Sequence, residues 1–277
     1  MKGQIVKILS NLYFVKTESG TIYECHSRGK FRNENITPVV GDFCIFNEQE
    51  KYILEILERK NVLVRPLVAN IDQALIVTSC KQPDFSTNLL DKLLVLLETN
   101  KIKPIICITK YDLLTNIEKK EIKAYMSYYR KLGYKVLSNK NIFRIKRMFK
   151  GKTTVFTGQT GAGKSTLINK LDKKLNFATG EVSTALGRGK HTTRHVELVP
   201  IAKGKVLDTP GFSSLDFKNL KVDEIKDAFI EFKKYHCPYK DCRHLDEKEC
   251  LVKEAVQKGN ILESRYINYK KFIQEKN

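Results

Sequence analysis

One segment near the middle of the chain places glycines between a β-branched run and a helix-compatible run. Thr153-Thr-Val-Phe-Thr predicts a strand, and the residues from Lys164 onward are suited to a helix. A glycine-rich turn between strand and helix lets backbone N–H groups reach phosphate oxygens, helped by the helix dipole. The segment matches the phosphate-loop motif G-x-x-x-x-G-K-[ST]. The predicted loop consists of Gly158, Gln159, Thr160, Gly161, Ala162, Gly163, Lys164, Ser165 and Thr166.

Side chains in and after this loop are suited to binding a magnesium–triphosphate. Lys164 is expected to reach the β- and γ-phosphates, and the Ser165 hydroxyl to ligate Mg²⁺. Asp208, at the end of the predicted strand Lys205-Val-Leu, is a second candidate ligand of Mg²⁺. The N–H of Gly211 is expected to meet the γ-phosphate, and Thr193 to close over it as part of a switch loop. An ordinary turn is the alternative interpretation of Asp208-Thr-Pro-Gly.

A second motif predicts which base is bound. Thr109-Lys110-Tyr111-Asp112 lies at the carboxyl end of the apolar run Lys103-Pro-Ile-Ile-Cys-Ile-Thr109, which is typical of a buried parallel strand. The Asp112 carboxylate can accept two hydrogen bonds from the guanine edge, a pair that adenine does not offer. Lys110 would lie along the base, and the Ser138 backbone N–H would support it. Alone, Lys-x-Asp after a strand is more often a chance match or a helix N-cap.

The order of these motifs indicates a circular permutation. Alternating strands and helices from Ala69 onward predict an α/β fold, a doubly wound parallel sheet that binds its ligand at the carboxyl ends of the strands. In Ras-like GTPases the phosphate loop precedes the base reader, whereas here the base reader comes first. We therefore predict a circularly permuted Ras-like P-loop GTPase domain over residues 68–217. Its last switch, Asp208 to Phe212, runs directly into the C-terminal segment.

Residues 1–67 predict a small β-barrel. Five short β-branched or aromatic runs, broken by turns, favour an OB-type barrel, although an SH3-like barrel fits the same pattern. Such barrels often bind single-stranded nucleic acid, and the loop carrying Arg28, Lys30, Phe31 and Arg32 offers charge and stacking. A purely structural domain is the alternative. Arg65-Pro66 is interpreted as a linker.

Residues 218–277 contain a cluster of metal-ligand type. Three thiols and one imidazole are closely spaced, in the pattern Cys-x₄-Cys-x-His-x₅-Cys, and make a complete tetrahedral zinc set. The predicted ligands are Cys237, Cys242, His244 and Cys250. With no open coordination position, the ion would be structural and would stabilise a small helical C-terminal domain. Helices are expected around 222–235 and 261–273.

The amino-acid composition limits the classes of protein to which the chain can belong. The 277 residues carry 50 Lys and Arg against 31 Asp and Glu, a formal charge of +19 that predicts attraction to nucleic acid. A lysine-rich surface that serves only solubility is the alternative for the densest basic run, residues 140–152. No apolar run has the length of a membrane span or a signal peptide, so we expect a soluble cytoplasmic protein with reduced cysteines.

Together these motifs resemble one family over essentially the whole chain, the bacterial small-ribosomal-subunit biogenesis GTPases of the RsgA type. The permuted motif order combined with the zinc spacing carries the resemblance. It implies a monomer that binds GTP and GDP with Mg²⁺, hydrolyses GTP slowly, and is stimulated by the small ribosomal subunit. It further implies binding to 16S rRNA and action late in subunit maturation. In this family the histidine of Gly-Lys-His-Thr-Thr is a proposed catalytic group, which matches His191.

Two positions depart from general GTPase patterns. Thr109 replaces the usual Asn, so we expect the base reader to lose an amide that ties it to the phosphate loop. Phe212 replaces a water-orienting Gln, which predicts slow hydrolysis. His191 is the candidate replacement, and its alternative role is contact with phosphate or RNA. Two other functions stay open: a passive rRNA-binding protein with GTP as a structural ligand, and an ATP-using P-loop enzyme, against which Asp112 argues.

Overall fold

The structure is a computed structural model that describes residues 1–29, 31, 36–64, 67–172, 196–208, 217 and 220–276, with only the backbone of Asp208. The chain forms two compact units, each assembled from separate stretches. The first contains residues 1–74, 140–157 and 164–213, and the second contains 75–139, 158–163 and 214–277. The predicted domain boundaries, 1–67, 68–217 and 218–277, remain predictions.

The first unit begins with a closed five-stranded barrel. Its strands are β1 (Lys2–Leu9), β2 (Leu12–Lys16), β3 (Ile22–Ser27), β4 (Phe43–Asn47) and β5 (Tyr52–Ile56). The strand order is β1-β2-β3-β5-β4, and β4 pairs back with β1 to close the barrel. β3 and β5 pair in parallel, whereas the other barrel pairs are antiparallel. This connectivity is the OB type, which the strand pattern alone did not distinguish from an SH3-like barrel.

Alternating apolar side chains fill the barrel, including Ile5, Val15, Cys25 and Phe46, all with no exposed surface. Phe31 packs in the same core and is only 4% exposed. The prediction that Phe31 offers a stacking surface to nucleic acid is therefore wrong. Its large apolar ring gains more from burial than from solvent exposure. Lys30 and Arg32 lie outside the described residues.

Outside the barrel, the first unit contains a separate two-stranded sheet and further strands of the barrel's own sheet. The hairpin β6 (Val62–Val64) and β7 (Leu67–Ala69) occupies the region interpreted as a linker, although Arg65 and Pro66 themselves are outside the described residues. β12 (Glu197–Ile201) pairs antiparallel with β1 and with β13 (Gly204–Asp208), and β13 pairs in parallel with β11 (Thr153–Gly158). The helices of this unit are α3 (Ile142–Phe149) and α4 (Lys164–Leu171).

The second unit contains three neighbouring strands, in the order β10-β9-β8. These are β8 (Gln73–Ser79), β9 (Lys103–Thr109) and β10 (Lys135–Ser138), and β9 and β10 pair in parallel. The connecting helices are α1 (Thr87–Thr99) and α2 (Asn116–Lys131). The Ser86 hydroxyl caps α1, and Thr115 with Glu118 forms a capping box on α2. β8 is buried along its whole length, as its continuous apolar sequence predicts.

The C-terminal part of this unit is helical, with α5 (Val222–Ala228), a 3₁₀ turn (Phe232–Lys234), α6 (Leu251–Gln257) and α7 (Glu263–Gln274). The helix predicted over 222–235 ends early, because the backbone leaves the helical region at Phe229. This break lets Phe229 and Phe232 stack on one another, with ring centroids 5.2 Å apart, in a core shared with Tyr269. Aromatic packing thus overrides helical propensity here.

A buried ionic cluster joins α7 to α1. The Arg265 guanidinium, with no exposed surface, donates two hydrogen bonds to Glu231, at 2.7 and 2.8 Å, and one to Asp91 at 2.8 Å. Asp91 also accepts from the Tyr129 hydroxyl at 2.6 Å and from the Asn268 amide at 2.7 Å. Because every charge in this cluster is paired and hydrogen-bonded, it can be buried. No helix in the described part of the chain is sufficiently long and apolar to cross a membrane.

Candidate guanine-nucleotide site and metal centre

The predicted phosphate loop connects β11 to α4. Gly158, Gly161 and Gly163 all adopt positive φ angles, of 127°, 76° and 91°. A Cβ atom at Gly158 would lie 2.0 Å from the carbonyl oxygen of Val77 in β8, so no other residue fits without moving the backbone. The glycines therefore serve two needs, the left-handed turn geometry and the close approach of the neighbouring strand.

The predicted base reader directly follows β9 and is tied to the phosphate loop. The Thr109 hydroxyl, which is buried, donates a hydrogen bond to the Ala162 carbonyl oxygen at 2.7 Å, and it also lies 3.3 Å from the Thr78 carbonyl oxygen. The amide link is absent, as expected, but the Thr109 hydroxyl ties the base reader to the phosphate loop in its place. A threonine hydroxyl is a shorter donor than an asparagine amide, but here the phosphate-loop backbone lies close enough to accept from it.

Lys110 and Asp112 lie in a tight turn that directly follows Thr109. Lys110 adopts φ 56°, and its ammonium donates to the Gln82 carbonyl oxygen. Asp112 is exposed and lies in the 3₁₀ turn Tyr111–Leu113. Ser138, partly buried, ends β10 beside Ile108 of β9. All of these residues lie in the second unit with Gly158–Gly163, so the structure brings the base reader and the glycine-rich part of the phosphate loop together in one compact body.

Residues 79–83 form a third element of this region that sequence reasoning missed. Besides accepting from Lys110, the segment places the Pro83 ring 3.5 Å from where a Cβ of Gly161 would be. Lys81 forms a salt bridge with Glu118 of α2 at 2.8 Å. Lys81 and the Thr115 N–H hold the pKa of Glu118 at about 2. The signal available in the sequence was position alone, since the segment follows the carboxyl end of a buried parallel strand.

The remaining predicted nucleotide residues are only partly described. Gln159 is partly buried, and Thr160 and Thr166 are exposed. Lys164 and Ser165 begin α4, and burial lowers the pKa of Lys164. Asp208 ends β13, as predicted from the sequence. His191, Thr193 and Gly211, together with Phe212, lie outside the described residues.

The four predicted metal ligands converge at the C-terminal end of the chain. One ligand atom from each of Cys237, Cys242, His244 and Cys250 falls within a group no wider than 4.8 Å. His244 Nδ1 lies 3.3 Å from the sulfurs of Cys242 and Cys250 and 3.5 Å from that of Cys237. Sulfur and nitrogen atoms about 2.0–2.3 Å from a tetrahedral Zn²⁺ are separated by similar distances. The set therefore fits a zinc ion with all four positions filled by protein.

The surroundings of this cluster hold its ligands in place. His244 adopts φ 59°, and its carbonyl oxygen accepts from the Tyr266 hydroxyl at 2.7 Å, while the Arg243 carbonyl oxygen accepts from Tyr269. The His244 and Phe232 rings are nearly perpendicular, with centroids 5.5 Å apart. Burial raises the pKa of the Cys242 thiol to about 12, so thiolates would need a cation beside them. The neighbouring His236 is exposed and takes no part.

Comparison with known proteins decides the family. The family model of the RsgA GTPase matches residues 56–218, and that of the RsgA N-terminal domain matches residues 2–53. The chain belongs to the RsgA GTPase family. It is 48% identical to the small ribosomal subunit biogenesis GTPase RsgA of Bacillus anthracis over 99% of this chain and 97% of that protein. RsgA 2 of Listeria monocytogenes is also 48% identical, with the same coverage.

Solved structures of similar proteins confirm the predicted fold. YloQ, described as a circularly permuted GTPase, superimposes with a TM-score of 0.84 and 40% identity, over 99% of this chain and 94% of that one. YjeQ from Thermotoga maritima gives a TM-score of 0.86 and 36% identity, over 99% and 98%. The predicted circular permutation and OB-type barrel are therefore confirmed, and the predicted Cys₃His cluster is formed.

Proposed function

We propose that this RsgA-family chain is a GTPase that acts in maturation of the small ribosomal subunit. The observation that carries the nucleotide part is the hydrogen bond from Thr109 to the Ala162 carbonyl oxygen, which fixes the base reader to the phosphate loop. Two segments far apart in the sequence thereby form one binding surface. The proposed selectivity for guanine rests on the exposed Asp112 carboxylate, which is available to accept from the base.

The roles proposed for the phosphate-binding residues follow from their chemistry. Backbone N–H groups of Gly158 to Gly163 and the start of α4 would surround the phosphates. Lys164 would neutralise developing charge, and Ser165 with Asp208 would hold Mg²⁺, whose positive charge would stabilise the phosphates during hydrolysis. Partial burial of Lys164 strengthens such an interaction, because an anion stabilises an ammonium most where water is partly excluded.

Residues of the two predicted switch loops, one carrying His191 and Thr193 and the other Asp208 to Phe212, provide the catalytic and regulatory part of the proposal. Phe212 has no hydrogen-bonding group with which to orient water, so another residue must assist hydrolysis. We assign this to His191, with Thr193 and Gly211 closing over the γ-phosphate. GTP would favour the arrangement that binds the subunit, and hydrolysis would release the protein.

The proposed partner is the small ribosomal subunit, through 16S rRNA. The curated relatives carry small ribosomal subunit biogenesis in their names. The excess of positive charge, +19, supports binding to a polyanion. We further propose that the chain acts in the cytoplasm as a monomer, with a structural zinc ion held by the Cys₃His cluster.

The direct test is phosphate release from GTP by purified protein, with and without small ribosomal subunits. The proposal predicts slow basal hydrolysis, strong stimulation by subunits, and loss of stimulation in His191→Ala. Retention of full stimulated turnover by His191→Ala would remove His191 from the mechanism. A rate unaffected by subunits would instead favour an rRNA-binding protein that uses GTP as a structural ligand.

A further inference from the structure

The first unit contains a basic cleft whose lining includes none of the predicted nucleotide residues or metal ligands. The cleft encloses about 460 Å³ and is lined by β1, the residues before β8, the segment that enters β11, and the turn between β12 and β13. Its lysines are Lys60, Lys152, Lys203 and Lys205, and its one acid is Asp72. Such an excess of ammonium groups in one concave surface favours an anionic ligand.

The single carboxylate of the cleft is already occupied. One Asp72 oxygen accepts the Thr153 backbone N–H at 2.8 Å, and the other accepts from Lys60 at 3.1 Å. Within the described part of the chain, no salt bridge involves Lys152, Lys203 or Lys205. Lys152 and Lys203 therefore have no carboxylate partner among those residues, and Lys205 has only a longer-range attraction to Asp72.

Lys205 forms part of a fixed polar floor. Its ammonium donates to the side-chain oxygen of Gln4, a neutral amide that is 3% exposed. The Gln4 amide nitrogen in turn donates to the Gly41 carbonyl oxygen at 3.0 Å, which the Asn70 amide also reaches at 3.0 Å. Burial, with Lys16 nearby, lowers the pKa of Lys205. A partly buried cation held against an amide leaves a favourable position for an anion.

Lys203 is held at the rim by an unusual turn. Ala202 and Lys203 form the two-residue turn of the β12–β13 hairpin, and both have positive φ angles, of 49° and 62°. Asn-Gly is the sequence that this turn geometry favours, and lysine there is strained. The adjacent Gly204 allows the hairpin to approach the Phe149 carbonyl oxygen, which a Cβ would meet at 1.9 Å. The turn therefore fixes the position of the Lys203 backbone at the edge of the cleft.

We propose that this cleft binds a phosphate group, supplied either by an RNA backbone or by a phosphorylated small molecule. Lys152 and Lys203 would contact the phosphate oxygens, and Lys205 would contribute charge from the floor. Ammonium groups bind phosphate as point charges, so the site needs no base-specific geometry. If RNA is the source, the cleft would add a contact to the rRNA surface of the proposed function.

Lysine footprinting of the full-length protein locates the ligand. The protein is first saturated with GDP, so that the phosphate loop is filled. It is then acetylated with a limiting amount of reagent under three conditions: without a further ligand, with pyrophosphate, and with a single-stranded RNA oligonucleotide. We expect acetylation of Lys152 and Lys203 to fall when a phosphate source is added, with Lys101 unchanged. Protection by RNA alone assigns an RNA backbone, and protection by pyrophosphate alone assigns a small molecule. Protection by neither, or equal protection of Lys101, overturns the proposal.

A matched pair of variants tests the same site by affinity. Lys203→Asn removes one charge and keeps a residue suited to positive φ, and Lys101→Asn does the same at φ 55° outside the cleft. Lys203→Asn should weaken binding of the protecting probe by about tenfold, whereas Lys101→Asn should leave it nearly unchanged. Equal effects in the two variants would show attraction to net charge only. Neither readout requires GTP hydrolysis, so failure here is distinct from failure of the proposed function.

Discussion

The hydroxyl of Thr109 donates a 2.7 Å hydrogen bond to the carbonyl oxygen of Ala162, which joins the end of β9 to the phosphate loop. Both groups are buried, so the bond is shielded from water. Asparagine is usual at position 109, but the smaller threonine can make this hydrogen bond because the backbone of the phosphate loop lies close to the end of β9. The guanine-reading turn and the phosphate-binding turn are expected to be stabilised or loosened together.

Removal of this hydroxyl should weaken nucleotide binding. Thr109→Val keeps the shape of the side chain but leaves the Ala162 carbonyl without this donor, at a cost of about 1–3 kcal/mol, or about 5- to 150-fold in the Kd for GDP. Thr109→Ser is the control, since it retains the donor. Titration of a fluorescent GDP analogue measures both. Equal affinities for Thr109→Val and the unmodified protein would show that the bond does not support the site.

The metal cluster makes a separate prediction. Cys242→Ser should abolish stoichiometric zinc, measured by mass spectrometry of the purified protein, and lower the unfolding temperature of the C-terminal region, because metal binding contributes folding free energy. Cys25→Ala removes a buried thiol of the barrel and should leave the zinc content unchanged. Full zinc occupancy in Cys242→Ser would contradict the assigned ligand set.

The ionic cluster around Arg265 is expected to be intolerant of single changes. Arg265→Met leaves Asp91 and Glu231 buried without their shared cation, which should destabilise the fold by about 3–5 kcal/mol in urea denaturation. Arg265→Met combined with Asp91→Asn and Glu231→Gln should recover part of that loss, since it removes both uncompensated carboxylates. A loss below about 1 kcal/mol for Arg265→Met would mean that the charges are hydrated despite their burial.

The lowered pKa of Glu118 predicts how the stability of the protein changes in acid. Its pKa in the folded protein is about 2, below the ordinary value of 4.5, because Lys81 and the Thr115 N–H bind the carboxylate. A lowered acid pKa contributes stability that is present above the unfolded value and is lost as pH falls toward the folded value. Unmodified protein should therefore be more stable than Glu118→Gln at pH 7, with the difference shrinking from about pH 4.5 to pH 2. A pH-independent difference in denaturation midpoints would contradict this assignment.

Strands and helices with strong periodicity were predicted closely from the sequence. β9 was predicted over Lys103 to Thr109 and has those bounds in the structure. The Cys₃His cluster could also be predicted from the sequence, because the spacing of its four residues is itself the signal. In contrast, Phe31 is aromatic and neighboured by basic residues, a pattern that fits either a stacking surface or a core, and only barrel closure decides between them.

Contacts between distant segments were the least predictable. Nothing in the sequence near Thr109 indicates that its hydroxyl reaches Ala162, since the distance between two strand ends depends on how the sheet packs. The pairing of Arg265 with Asp91 and Glu231 likewise depends on three separate helical segments meeting. Local propensity specifies each segment, and tertiary packing then brings these side chains together.

The central claim, that the turn at Asp112 and the phosphate loop together form one guanine-specific site, is tested most directly by calorimetric titration of the protein with GDP and with ADP in the presence of Mg²⁺. The account predicts one GDP per chain, much weaker ADP binding, and loss of this preference in Asp112→Ala. Equal affinity for GDP and ADP, or GDP binding unaffected by Asp112→Ala, would contradict it.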